Sequence, residues 1–392
     1  MDFDLSFEQR MLVQTIRDFI SAELHPLEQE VEETGRLESD KAREIQQKSL
    51  KLGLYALNVP KSYGGSGLSM LDWMLAEEQF GHATDILVRR AFGNIYDLLF
   101  EGTAEQVERW LLPSVRGERV FSIAFTEPEA GSDAAAIQTR AVRSKKGWTL
   151  SGKKHFISDG EHSDFFIITA VSDPDAGHRG ISCFIIDKQT PGLTVGRDQP
   201  MMGLRGTSHV ELYFDEVRLE PQALLGVEGE GLKLALDTLG KIRLAQIGAR
   251  AVGKATRILQ LATDYAKRRS QFGQTIDQFQ MIQQMLADSA IEINAARLAV
   301  LHTAWESDKG REVKARISMI KVQASETLGR VADRAVQIYG GLGYCRDLPI
   351  ERYYRDARIY RIYDGTSEIH RTIIARALSK GEDNLYNLPI AS

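Results

Sequence analysis

Two changes in the period of the apolar residues, near residue 119 and near residue 228, constrain this chain more than any other feature. Before the first change, Leu12, Ile16, Phe19 and Ile20 recur at helical intervals, after Ser6 and Gln9 at capping-box spacing. The helical reading runs to Pro113, taken as the stop of this section. Between the changes, "RVFSIAF", "IQTRAVR", "GWTLSG", "HFIS", "DFFIITAV", "ISCFIID" and "HVELYFDEV" are short and rich in β-branched and aromatic residues, with turn residues between them. Ile137, Thr139, Ala141 and Arg143 alternate with a period of two, as one face of a strand requires. After the second change the helical period returns. In "RISMIKVQASETLGRVADRAVQIYGG" the residues Ile317, Ile320, Ala324, Leu328, Val331, Ala335 and Ile338 form one stripe, which Gly340 and Gly341 close. A chain of 392 residues is too long for one ordinary core. The pattern therefore predicts an α+β protein with an N-terminal helical domain (1–118), a middle antiparallel β-barrel or sandwich (119–228) and a C-terminal helical domain (229–392).

Charge and motif content remove several function classes. A net charge of -5 carries no basic footprint for nucleic acid. The longest apolar runs, such as "FFIITAV", are far short of a membrane span, and "MDFDLSFEQR" lacks a basic segment leading into an apolar one. The expected location is cytoplasmic, or the mitochondrial matrix if a transit segment has been removed. Cys183 and Cys345, the only cysteines, fit a reducing compartment and cannot build a zinc site. The eight histidines show no H-E-x-x-H pair, so no metal is expected, and there is no G-x-S-x-G elbow.

Three segments stand out. "SYGGSG" at 62–67 follows no strand and lacks dinucleotide spacing, so it reads as a turn. "FTEPEAGSDAA" at 125–135 follows a strand. Its Gly131 permits close approach to a ligand, and Thr126, Ser132 and Asp133 suit a pyrophosphate or a flavin edge; an ordinary hairpin turn remains the other reading. In "RIYDGTSEIHR" at 361–371 a helix-rich region breaks for one acid, Asp364, followed by Gly365, Thr366 and Ser367. Asp364 reads either as a functional carboxylate or as a cap for the next helix.

Together with "RRSQFGQ", "QIYGGLGY" and "YYRDARIYRIYDGTSEIHR", the "FTEPEAGSD" segment resembles the acyl-CoA dehydrogenase family of flavoproteins, and the resemblance extends over nearly the whole chain. It implies a C-terminal four-helix bundle, FAD as cofactor, an acyl-CoA substrate, a homotetramer, and an electron-transfer flavoprotein as partner in fatty-acid metabolism. Carried over residue by residue, it implies that Ile123, Phe125, Thr126, Gly131 and Ser132 line the flavin, with Ser132 also facing the thioester. Phe156 and Ser158 occupy positions that in many relatives are Trp and Thr packed against the isoalloxazine, and Ile157 between them also belongs to the cofactor site. Arg269, Phe272, Gln280, Gln337, Gly340 and Gly341 reach the FAD of a neighbouring subunit, and Thr366 and Glu368 touch its adenine end. Gly240, Arg243 and Gly365 join Ser132 at the substrate.

α,β-Dehydrogenation of a thioester removes an α-proton while a hydride leaves the β-carbon. It needs a base opposite the flavin and donors for the carbonyl. Asp364 supplies the first and its own N–H beside Gly365 the second. Most relatives carry Glu at this position, so the carboxylate is withdrawn by roughly 1.5 Å, and a misplacement of that order can cost ~100-fold. A branch of the family takes its base from another helix, but that position is Ile242, which cannot accept a proton. Gly240, two residues earlier, suggests with Asp364 a roomier pocket for an α-branched or cyclic acyl group. The competing readings are an oxidase similar to nitroalkane oxidase, which also has an Asp base, and a flavin-holding binding protein without catalysis.

Overall fold

The computed structural model describes residues 4–93 and 95–387; residues 1–3 and 388–392, the outer ends of two predicted domains, lie outside them. The order is helical, β, helical, as the period changes predict. Helix α1 (Phe7–Phe19) begins with the expected box: Ser6 Oγ accepts from the Gln9 N–H, and the Gln9 side chain accepts from the Ser6 N–H at 2.9 Å. It buries Val13, Ile16 and Phe19, the last two against α2 (Met70–Phe80) and α3 (Asp85–Phe92), where the Phe80 and Phe92 rings stack 3.9 Å apart. Pro113 does not stop the section. It sits in the first turn of a short helix, Leu112–Val115, where a missing N–H costs nothing.

The middle domain is one eight-stranded sheet, in the order β6-β7-β3-β2-β4-β5-β8 with β1 on β4. Its strands are β1 (Phe121–Ala124), β2 (Arg140–Ser144), β3 (Gly147–Ser158), β4 (Phe165–Val171), β5 (Ile181–Asp187), β6 (Leu193–Asp198), β7 (His209–Leu219) and β8 (Leu224–Leu225). Pairing is antiparallel except for β1 with β4 and the single Arg140–Val171 pair of β2 with β4, which are parallel. One face closes over Trp148, Leu150, Ile157, Phe166, Ile168 and Phe184. The other carries Phe121, Phe165, Ile167 and Ile185 against Trp110, Leu98 and Tyr55 of the helical domain. Covered on both faces, β4 and β5 read as continuous apolar runs rather than alternating ones.

A long helical rod opens the C-terminal domain: α4 (Gly231–Ile242), a π-helical segment over Arg243–Ala249, and α5 (Arg250–Arg268). Then come α6 (Gln280–Asp308), α7 (Lys314–Tyr339), α8 (Ile350–Ile359) and α9 (Ser367–Ser379). The stripe of α7 is buried as its spacing predicts. Helices α2 and α5 touch at the backbone: a Cβ on Gly253 would fall 1.8 Å from the Glu78 carbonyl oxygen, so only glycine fits. Buried pairs Glu77–Arg250 and Glu28–Arg352 bind the helical domains together. Among the described residues no helix is long and apolar enough to cross a membrane, and no cluster of metal-ligating side chains occurs.

Candidate active site

Asp364 and Gly365 form the bend between α8 and α9, both left-handed at φ 53° and 90°. Aspartate tolerates that region better than most residues. Gly365 is required twice over, because a Cβ there would also lie 2.8 Å from His370 Nε2. Thr366 caps α9, its hydroxyl accepting from the Ile369 N–H at 3.2 Å. The capping role read as an alternative for Asp364 is thus filled by its neighbour. The Asp364 carbonyl accepts from Arg243 Nε at 2.7 Å and faces His370 Nε2 at 3.1 Å. A carbonyl only accepts, so Nε2 carries the ring proton and Nδ1 accepts from the Ser318 hydroxyl, 3.0 Å away on α7. Burial lowers His370 to about 4, which keeps the ring neutral.

The bend is therefore fixed through its main chain, and the carboxylate is not consumed in holding it. Asp364 is partly buried, and desolvation raises its carboxyl above the ordinary range against the pull of Arg243, Lys321 and Arg89. The surroundings are less apolar than the sequence implies, because three cations act on one acid. Lys321 is fully buried on α7, and its Nζ has no hydrogen-bond partner among the described residues. Burial lowers it to about 8, with Asp364 the leading opposing charge. Burial also lowers Arg243, and Asp364 opposes that shift. Beside Arg243, the π segment directs Gln246 to a cavity with Trp73, Phe92, Ile95 and Tyr96, where Gln246 Nε2 lies 3.5 Å from the Tyr96 hydroxyl. π-Helical turns inside longer helices often mark functional sites. At Gly240, one turn before this segment, an added Cβ would meet nothing within 4 Å, so packing does not demand glycine.

The second group lies in the β domain. Fully buried Lys154 donates to the Phe125 carbonyl (3.0 Å), to Glu127 Oε1 (2.8 Å) and to Thr169 Oγ1 (3.3 Å). The Glu127 carboxylate accepts from the N–H groups of Gln138 (2.6 Å) and Thr139 (3.1 Å). Desolvation pushes Glu127 up, but Lys154 and those donors outweigh it and hold the carboxyl below its ordinary range. This pair anchors the loop carrying Thr126, Gly131 and Ser132; Gly131 and Ser132 are exposed, and Gly131 has open space before it. The His155 N–H donates to the Thr126 carbonyl at 2.8 Å. Phe156 stands at a bulge of β3, left-handed at φ 57° and 48% exposed. Ile123 is half-buried in the layer between sheet and helices, and the Ser158 carbonyl accepts from the Ser122 hydroxyl at 2.6 Å. The Ile157 side chain lies in the β core, so its main chain is the part of it that faces a ligand.

The third group meets at one end of the helical bundle. Tyr265 and Tyr339 stack 4.1 Å apart, bringing the end of α5 beside the end of α7. Arg269 follows Tyr265, and Phe272 with Gly273 makes the tip of a two-residue hairpin at φ 52° and 80°. Phe272 is 95% exposed, and Gln280, Gln337, Gly340 and Gly341 are exposed as well. Thr366 and exposed Glu368 belong to the first turn of α9. Among the described residues, no hydrogen bond or ring contact joins this group to the β-domain group within one chain. The sequence reading missed Lys321, His370, Ser318, Tyr96 and Arg89. Only Lys321 carried a signal, a charge on the stripe between Ile317 and Ala324.

Comparison with known proteins places the whole chain. The N-terminal, middle and C-terminal domains of acyl-CoA dehydrogenase match residues 6–118, 122–217 and 229–379. Acryloyl-CoA reductase (NADH) of Anaerotignum propionicum is 37% identical over 97% of this chain and 96% of its own length. The solved butyryl-CoA dehydrogenase of Megasphaera elsdenii is 34% identical, covers 97% of this chain and 100% of that one, and superposes with a TM-score of 0.89. A solved chain described as the electron transferring flavoprotein of Acidaminococcus fermentans is 35% identical over 96% and 99%, with a TM-score of 0.90. The family is FAD-dependent. The residues here fit that cofactor: a half-exposed aromatic at a strained bulge suits a planar heterocycle, and the open, hydroxyl-bearing loop around Gly131 suits its polar edge.

Proposed function

The chain belongs to the acyl-CoA dehydrogenase family and is an FAD-dependent enzyme acting on acyl-CoA, and from that premise we propose that Asp364 is the base that removes the α-proton of the thioester. Bound FAD supplies the acceptor for the hydride that leaves the β-carbon. The observation that carries the reading is the bend at Asp364: its carbonyl is held by Arg243 and His370, its neighbour caps α9, and its carboxylate is left to act. Desolvation raises its affinity for a proton toward what carbon acids need. Arg243, Lys321 and Arg89 oppose that rise. The N–H groups of Asp364 and Gly365 polarise the thioester carbonyl.

Thr126, Gly131, Ser132, the main chain at Ile157 and Ser158, and the Phe156 ring receive the flavin. The exposed bundle end, with Arg269, Phe272, Gln280, Gln337, Gly340 and Gly341, completes the FAD site of a neighbouring copy. A strained phenylalanine at 95% exposure is otherwise a cost without a return. Exposed Ile291, Leu298 and Trp305 on α6 are spaced by seven and support assembly, which we take to be a homotetramer with domains dividing near residues 118 and 228. Electrons pass from it to an electron-transfer flavoprotein.

The open space at Gly240 and the short Asp364 side chain support an α-branched or cyclic acyl group. A Gly240→Val variant lowers kcat/KM for 2-methylbutanoyl-CoA at least about tenfold more than for butanoyl-CoA, measured with a dye acceptor and mass spectrometry of the products. An equal fall for both removes the size argument. Lys321 tests the electrostatics. Turnover requires ionised Asp364 and so rises with pH through its pKa. Lys321→Met removes a cation that favours the ionised form, so the acid limb of kcat/KM moves to higher pH by about one unit. An unmoved limb means that Lys321 does not act on the base. The Asp also favours one rival, an oxidase acting on nitroalkanes. Anaerobic bleaching of the flavin by acyl-CoA and not by nitroethane separates the two.

A further inference from the structure

The base and the residues that receive the flavin sit in different domains. Asp364 follows α8 in the C-terminal domain, whereas Phe156 and Ser158 lie at the end of β3 in the middle domain. Dehydrogenation needs the base at the α-hydrogen and the flavin at the β-hydrogen of one substrate, and an error of about 1 Å in such a spacing can cost ~100-fold. The loop of residues 199–208, between β6 and β7, connects the two. At its base the Asp159 N–H, next to Ser158, donates to the Ser208 carbonyl at 2.6 Å, and the Glu161 N–H donates to Ser208 Oγ at 3.2 Å. Ser158 itself pairs with His209, where the loop enters β7. At its tip the Leu204 N–H donates to Asp356 Oδ1 at 2.7 Å, and the Met202 carbonyl accepts from Arg355 Nη1 at 3.1 Å. Asp356 and Arg355 belong to α8, the helix that leads into Asp364.

The contact at the tip is close and strained. A Cβ on Gly203 would fall 2.6 Å from Asp356 Oδ1 and 3.0 Å from the Asp356 nitrogen, so the loop lies against the main chain of α8. Leu204 is left-handed at φ 58°, a conformation that leucine keeps only where its surroundings impose it. Asp356 holds the Leu204 N–H from a buried position, and burial raises its carboxyl above the ordinary range. The cations that act on Asp356 have acids of their own: Lys254 lies 3.9 Å from Asp85, and Arg352 donates to Glu28 at 2.9 Å. The other side of the loop rests on the N-terminal domain, where Arg205 donates to the Glu32 carbonyl at 3.1 Å and a Cβ on Gly206 would fall 2.8 Å from Val31. The loop is thus a strut, backed by one domain, from the end of β3 to the helix that carries the base.

We propose that Asp356 is a positioning residue: by pinning this loop to α8 it sets the distance between Asp364 and the flavin face at Phe156 and Ser158. This rests on Asp364 as the base and on those residues as the seat of the flavin. The test measures two rates on FAD-loaded enzyme. Exchange of the α-hydrogens of a thioester with sulphur at its β-position, followed in D2O, asks for the base but not for hydride transfer. Reduction of the bound FAD by butanoyl-CoA, followed anaerobically by stopped flow, asks for the spacing as well. Asp356→Ala lowers FAD reduction about 100-fold, and exchange at least about tenfold less than that, with KM near wild type. Asp356→Asn, whose amide oxygen still accepts from Leu204, keeps both rates near wild type. If Asp356→Ala does not retain FAD, Leu204→Gly serves in its place: it frees the strained corner, leaves the buried acid and gives the same split. Two rates that fall by one factor, two unchanged rates, or a loss confined to KM overturns the strut and leaves the base assignment standing. An Asp356→Asn enzyme as impaired as Asp356→Ala also overturns it, because the bond to Leu204 is then not the link. A wild type that exchanges no α-hydrogen takes down the base assignment and the strut together.

Discussion

Replacing Asp364 with asparagine lowers kcat by about 10²- to 10⁴-fold, the usual worth of a positioned base, while FAD stays bound. Asparagine is the informative change. Like aspartate it tolerates the left-handed backbone that this bend imposes at φ 53°. The contacts that hold the bend use the Asp364 carbonyl, through Arg243 Nε and His370 Nε2, and the main chain is common to both residues. The cap of α9 belongs to Thr366. The substitution therefore removes a proton acceptor and a charge and little else. Flavin absorbance and thermal unfolding stay near wild type while dye reduction by acyl-CoA collapses. Wild-type turnover in the Asp364→Asn enzyme would mean that another group takes the proton.

Lys154→Met produces the largest loss of stability, about 3–5 kcal/mol, because it leaves the Glu127 carboxylate buried without its counter-ion. Lys154 also holds the Phe125 carbonyl, so the loop through Ser132 loses its tether and FAD content falls with stability. Denaturant unfolding reads the loss of stability, and gel filtration with flavin absorbance reads the loss of FAD. Changing both partners, Lys154→Met with Glu127→Leu, recovers part of the stability, since no unpaired charge then remains. The double variant does not recover full FAD binding, because Glu127 also organises the N–H groups of Gln138 and Thr139. A Lys154→Met protein with wild-type FAD content and unfolding midpoint would show that the pair does not secure the loop.

The parts of the fold that depend on short-range pattern were legible. The stripe from Ile317 to Ile338 announces α7, and Ser6 with Gln9 announces the start of α1, because both signals lie within a few turns. The π segment at Arg243–Ala249 was not legible: seven residues are too few to distinguish a wider turn from an ordinary one. The parallel pairing of Phe121 with Phe165 joins strands far apart in sequence, and no local feature fixes it. Pro113 misled because a proline that ends one helix looks the same as one that starts another.

The site divides along the same line. Asp364 and Gly365 could be singled out because an acid and a glycine interrupt a helical region. That Ser318 and Lys321 of α7 and Arg243 of the π segment gather around them could not be read, since packing alone brings them there. The residues assigned to FAD came from resemblance to a family, and geometry separates them by means: Phe156 offers its ring, whereas Ile157 turns its side chain into the core.

The most direct measurement of the central claim follows the proton itself. A thioester with sulphur in place of its β-carbon cannot lose a hydride, so exchange of its α-hydrogens in D2O reports deprotonation alone. Nuclear magnetic resonance of that thioester with FAD-loaded enzyme should show deuterium entering the α-carbon with the wild type and not with Asp364→Asn. Exchange at the wild-type rate in the variant would contradict the account.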